Sequence, residues 1–190
     1  MSAILGYIGD MLPYMIIALP FIIVLRFIYN KMRGFKILRI YHEIGVVIFL
    51  LFMTALFSQT VMTFLYTGPA VTRSFTNLNL IPFRVFQDTY YAIIELSYWQ
   101  PFIINFLGNI FIFMPIGFML PLLWKRLDRF WKVALIGLGT SLFIETTQLA
   151  QARSSDIDDL WLNTLGCILG YVVYLLINKL YPRLVDNFRR

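Results

Sequence analysis

One glutamate, Glu145, sits inside an otherwise apolar run. The loop that follows carries Arg153, Asp156, Asp158 and Asp159, and the next apolar run opens with Asn163. Ionisable side chains at membrane depth are expensive to hold, so a carboxylate retained there marks a candidate site. Such a carboxylate can act as a general acid or base. It can also meet a polar headgroup beside an arginine that grips phosphate or carboxylate in bidentate fashion. Spacing gathers these residues on helical faces. Gly137, Ser141, Glu145 and Gln148 share one face, small at one end and polar at the other. Asp156, Asp159, Asn163, Gly166 and Gly170 share another, again running from polar to small, and Gly166 to Gly170 is a GxxxG match suited to close helix packing. Asn105 and Asn109 stand four apart on a third. Glu145 and Arg153 are two turns apart, about 12 Å along a straight helix, so spacing alone does not pair them. Ser155 with Asp158 fits a capping box, which gives Asp158 a structural role and ranks it below Asp156 and Asp159 as a site residue.

These faces need membrane-spanning helices to position them. The chain is 59% hydrophobic and 14% charged, where a soluble domain is about half apolar at most and about a quarter charged. This composition predicts an all-α membrane protein, a single domain over residues 1–190. Five runs approach the ~20 residues that a span requires: about 5–29, 44–66, 102–124, 133–151 and 160–181. The first lacks a basic lead-in, unlike a cleaved signal peptide, and Pro13 and Pro20 are expected to kink it. Thirteen of the sixteen basic residues fall in or just beside the first loop (counting Arg26 before it), the loop after the third span and the C-terminal segment from Lys179. Those are alternate connections, so they belong on the cytoplasmic side, with the N-terminus outside and the C-terminus inside. Topology and anionic lipid account for them, and nucleic acid is not implied. One cysteine and one histidine leave no internal disulfide, no cysteine metal site, no zinc–histidine site and no Ser-His-Asp triad at the pocket.

Between the second and third spans, the stretch from Arg84 to Trp99 is rich in aromatics, with Phe86, Tyr90 and Ile93 on one face. It is expected to form a helix lying in the outer interface, or equally a lid packed on the bundle. Arg84 and Arg153 are basic residues placed outside, against the charge rule, and are candidate ligand contacts. Pro115 removes a donor to the Phe111 carbonyl within the third span. Asn105, Asn109, Glu145, Gln148, Asp159 and Asn163 thus lie at similar depth in the outer third of the membrane. Interhelical polar bonds in membranes average below about 1 kcal/mol. A glutamate, three aspartates and an arginine exceed what simple interhelical bonding needs.

Ordered motifs join these residues. Asn79-Leu80-Ile81-Pro82-Phe83 is followed by Asn109 to Pro121, Glu145-Thr146-Thr147-Gln148, Arg153 to Asp159 and Asn163-Thr164-Leu165-Gly166. Over about 77–171 the chain resembles the VanZ-like family. Ser155 departs from it, since members often carry an aromatic before the first aspartate. The resemblance implies a small multi-spanning protein of the bacterial cell membrane, associated with low-level resistance to teicoplanin, a glycopeptide with a fatty-acyl tail.

Two functions from different classes follow. In the first, the pocket binds an amphiphile, either the acyl tail of the drug or a lipid-linked envelope precursor. Asn109, Gln148 and Asn163 bond its polar groups, while Arg84 and Arg153 meet its anionic ones. In the second, the protein is an intramembrane hydrolase or transferase. Glu145 serves as general acid or base and Asp156 or Asp159 orients water, although no activated nucleophile is evident. No cofactor or metal is required, though Asp156 and Asp159 offer oxygens suited to a divalent cation. A proton-relay transporter would need a dimer, so a homo-oligomer is left open.

Overall fold

The computed structural model describes residues 2–34, 40–62, 78–100, 102–150 and 155–190. Five long helices dominate it. Helix α1 covers Ser2–Met32 and runs on through Pro13 and Pro20. Helix α2 covers Ile40–Thr60. A π-helical segment, Phe102–Gly108, leads directly into α4, Asn109–Leu123. Helix α5 covers Phe130–Ala150 and α6 covers Ile157–Leu180. Between α2 and α4 lies a shorter helix, α3, Arg84–Ile94, and α7, Pro182–Phe188, follows α6. Two-residue strands, β1 (Leu78–Asn79) and β2 (Ser155–Asp156), pair in parallel.

Four stretches among the described residues are long and apolar enough to cross a membrane: Gly9–Met32, Ile40–Thr60, Phe102–Leu123 and Ile157–Leu180. They match the first, second, third and fifth spans expected from sequence. The fourth expected span forms a 21-residue helix, α5, but falls outside this set. Its C-terminal half carries Glu145, Thr146, Thr147 and Gln148.

Helix α6 is the hub, with α4 and α5 packed on it, while α1 lies against α2 and α2 reaches α4. Small residues set how closely α4 and α6 approach. A Cβ on Gly166 would collide with the carbonyl oxygen of Ile110, one on Gly170 with that of Met114, and one on Gly117 with that of Cys167. Backbone therefore meets backbone, as the GxxxG spacing predicts; with no hydrophobic drive between helices in lipid, close packing is what holds them. Around this seam lie Phe113, Ile116, Leu123, Val133, Cys167 and Tyr174, all at most 2% exposed.

The two ends of the bundle differ in charge. At one end, Asp128 accepts from Tyr174 at 2.9 Å, Tyr171 at 3.2 Å and Arg189 at 2.7 Å, tying the α4–α5 turn to α6 and to the segment after α7. The His42 Nδ1 lies 2.8 Å from the Phe188 carbonyl, and Arg26 grips Glu43 through two 2.9 Å bonds. The acidic loop before α6 lies at the other end.

Candidate functional site

Asp158 is the most buried carboxylate of the acidic loop, at 1% exposure. It receives the backbone N–H of Phe83 at 2.6 Å, that of Val85 at 2.7 Å and the Trp161 indole N–H at 2.8 Å. Phe83 is the residue before α3 and stands at φ 65°, in the left-handed region. No side chain of its own caps this helix. Asp158 supplies the cap from across the fold, at the end where N–H groups lack partners and the helix dipole favours an anion. This corrects the capping-box expectation. The cap of α6 is Asp156, which accepts from the Asp158 N–H at 2.9 Å, and Asp158 caps a different helix.

The Asn79 amide donates to both oxygens of Asp156, at 3.0 and 2.9 Å. The β1–β2 pair sets the register, Asn79 opposite Asp156. Glu145, 4% exposed, accepts the Asp156 N–H at 3.1 Å. On the next turn of α6, the Asp159 carboxylate receives the Asn109 amide of α4. Ser141 of α5 donates to the Asp159 carbonyl at 3.3 Å and accepts from the Asn163 amide at 2.9 Å. The other amide atom, Asn163 Oδ1, is buried and has no hydrogen-bond partner among the described residues. A buried acceptor without a partner is costly, which makes this oxygen a candidate ligand contact.

The structure thus brings together Asn109, Glu145, Asp156, Asp159 and Asn163, as their spacing predicts. Asn105 does not join them. It is exposed on the π-helical segment, where the wider turn breaks the i, i+4 face that pairs it with Asn109 in a regular helix. Gln148 is half-buried on the C-terminal part of α5 and makes no hydrogen bond to the cluster among the described residues. Arg84 opens α3 and faces Asp88 at 3.4 Å in an exposed pair. Arg153 lies outside the described residues. Asn79, Ser141 and Trp161 complete the network; spacing places Ser141 on the Glu145 face without a role, and it does not reach Asn79 or Trp161. Their signals are the Asn79 motif, the small-residue stripe of α5 and an aromatic one turn after Asp158.

The aromatic helix α3 is shorter than its expected stretch. It stops at Ile94, and the chain reverses at Ser97, φ 51°. Val85 and Ala92 are buried, and Phe86 stacks on Trp161 with ring centres 5.8 Å apart. Tyr90, Tyr91 and Ile94 remain exposed. The helix is therefore both docked and aromatic on its outer face.

An apolar groove of about 550 Å³ begins at this junction. Pro82, Leu138, Ile157, Trp161, Leu165 and Ile168 line it. Trp161 belongs to both features, donating to Asp158 with its N–H and walling the groove. Among the described residues no group of three His, Cys, Asp or Glu side chains converges for a metal ion. Asp156 is engaged by Asn79 and by the Asp158 N–H, and Asp159 by Asn109.

Helices of membrane-spanning length around a buried carboxylate and amide network define the class: a helical membrane protein with a polar network at one end. The family model described as VanZ/LLP1 matches residues 44–178, most of the chain, and the protein belongs to that family. Neither a curated protein nor a solved structure matches it.

Proposed function

We propose that this VanZ-family protein is a multi-pass protein of the bacterial cell membrane that binds an amphiphile at its acidic end and so contributes to low-level teicoplanin resistance. In this account α5 is a fifth span, the start of α1 is outside, and the basic end faces the cytoplasm, as the distribution of lysine and arginine favours. The observation that carries the proposal is the junction at Trp161. There an apolar groove large enough for an acyl chain meets, through the Trp161–Asp158 bond, a buried polar network in which the Asn163 oxygen has no partner among the described residues. Pockets for such ligands combine apolar walls with a few placed polar groups. The acyl tail of the drug, or of a lipid-linked envelope precursor, lies along Leu165 and Ile168. Its polar part meets Asn163 and Glu145, with Arg153 a further contact.

The alternative is an intramembrane hydrolase or transferase using Glu145 as general acid or base. It has less support, because the two carboxylates it needs to orient water already accept from protein amides, Asp156 from Asn79 and Asp159 from Asn109.

The test is Glu145→Gln in cells challenged with teicoplanin, with membrane expression matched. Loss of protection is expected, and full protection would count against a polar site. Mass spectrometry of teicoplanin incubated with purified protein separates the two readings, since a binder returns the drug unchanged and an enzyme releases a product.

A further inference from the structure

We propose that the basic end of the protein holds a second site, separate from the acidic end, that takes a phosphate-bearing anion, in particular the phosphodiester of an anionic lipid. A hollow of about 280 Å³ lies there, lined by Arg26, Arg33, Arg126 and Arg190, with Tyr29, His42 and Trp124. The four guanidinium groups come from α1 (Arg26), the turn just after it (Arg33), the α4–α5 turn and the segment after α7, so the fold assembles them from distant parts of the chain. Glu43 is the carboxylate engaged with this set, bonded to Arg26 and 3.5 Å from Arg190. Asp128, the next acid on this end, is taken by Tyr171, Tyr174 and Arg189.

With Glu43 set against Arg26 and Arg190, the hollow keeps a positive excess at Arg33 and Arg126. Arg33 and Arg126 make no ion pair with a carboxylate among the described residues. Like charges held together raise the free energy of the empty site, and an incoming anion lowers it. The surroundings also order the arginines. The Arg26 and Arg33 guanidiniums sit 5.1 and 5.6 Å from the Tyr29 ring centre, in cation–π geometry. His42 is fixed by the Phe188 carbonyl, and its ring meets Trp124 edge-on. Planar guanidinium forks suit the oxygens of phosphate.

The neighbouring surface favours a lipid as the source of that phosphate. Phe27, Ile28 and Met32, interleaved with Arg26, Tyr29 and Arg33 at the C-terminal end of α1 and just past it, are all exposed and apolar. A headgroup in the hollow would leave its acyl chains beside them. Basic hollows between membrane helices are known receptors for anionic headgroups.

The test uses the full-length chain purified in mild detergent and native mass spectrometry with phosphatidylglycerol, phosphatidylcholine or inorganic pyrophosphate. Phosphatidylglycerol is expected to bind in preference to phosphatidylcholine by about tenfold or more. Arg33→Ala with Arg126→Ala should weaken its binding about thirtyfold, from two lost cationic contacts. Both arginines are exposed, so the core is undisturbed. Lys179→Ala with Arg183→Ala removes the same charge outside the hollow and should leave binding intact. Pyrophosphate binding with the same sensitivity to Arg33 and Arg126, and no lipid preference, would support the phosphate site with a soluble ligand as its source. Equal binding of both lipids without pyrophosphate binding, or equal losses in the two double variants, overturns the proposal.

Discussion

Replacing Asp158 with asparagine should release α3 from the bundle while leaving the long helices packed. Three donors converge on two carboxylate oxygens at 2.6, 2.7 and 2.8 Å. An asparagine keeps one oxygen and turns an NH₂ toward a backbone N–H. Hydrogen bonds to charged acceptors contribute about 1.5–3 kcal/mol each, and a buried donor left unmet costs about 1–3 kcal/mol. At least one such bond is lost and one donor stranded, so docking weakens by about 3 kcal/mol or more. That corresponds to roughly a hundredfold rise in the population of the undocked form. Hydrogen–deuterium exchange on the protein in nanodiscs reads this directly. The Phe83 and Val85 amides should exchange about a hundredfold faster. Amides of α4 and α6 should keep their protection, because their seam rests on Gly117, Gly166 and Gly170 and not on Asp158. Unchanged exchange at Val85 would refute the cross-fold cap. Equal loss of protection across α4 and α6 would show instead that Asp158 holds the whole bundle.

Gly170→Ala places a Cβ against the Met114 carbonyl and should lower thermal stability by about 1–3 kcal/mol, whereas Gly139→Ala, with open space around it, should change little. A double-mutant cycle on Asn109 and Asp159, read by thermal unfolding in detergent, should return a coupling of about 0.6–1.7 kcal/mol; additive losses would show that their hydrogen bond does not couple α4 to α6. Asp128→Asn should free the segment after α7, which limited proteolysis near Arg189 would detect as faster cleavage, and cleavage at the wild-type rate would count against the Asp128 anchor.

Much of the fold is legible in the chain because the bilayer imposes a length on apolar runs. Four expected spans therefore recur among the described residues as helices long and apolar enough to cross. The glycine seam was equally legible, since Gly166 and Gly170 share a face at any reasonable register. The site was legible where the helix is regular, which is why Glu145, Asp159 and Asn163 meet as their spacing requires. It failed at Asn105, where the local helix is π rather than α and the four-residue repeat no longer defines a face. It failed more instructively at Asp158. A capping motif reports what a side chain does for its own helix, whereas this carboxylate serves α3, more than seventy residues earlier in the chain. Pairing Asn79 with Asp156 likewise depends on a tertiary register that no local pattern encodes.

The central claim, that the Trp161 groove and the buried network together bind an amphiphile, is tested most directly by native mass spectrometry of the purified protein offered teicoplanin and its deacylated form. Leu165→Trp, which fills the groove, and Glu145→Gln, which alters the network, are measured beside the wild type. The wild type should retain the acylated drug in preference to the deacylated one, and each substitution should weaken that retention by about tenfold or more, the equivalent of one good apolar or charged contact. Equal retention of both forms, or acylated drug held as tightly when the groove is filled, would contradict it.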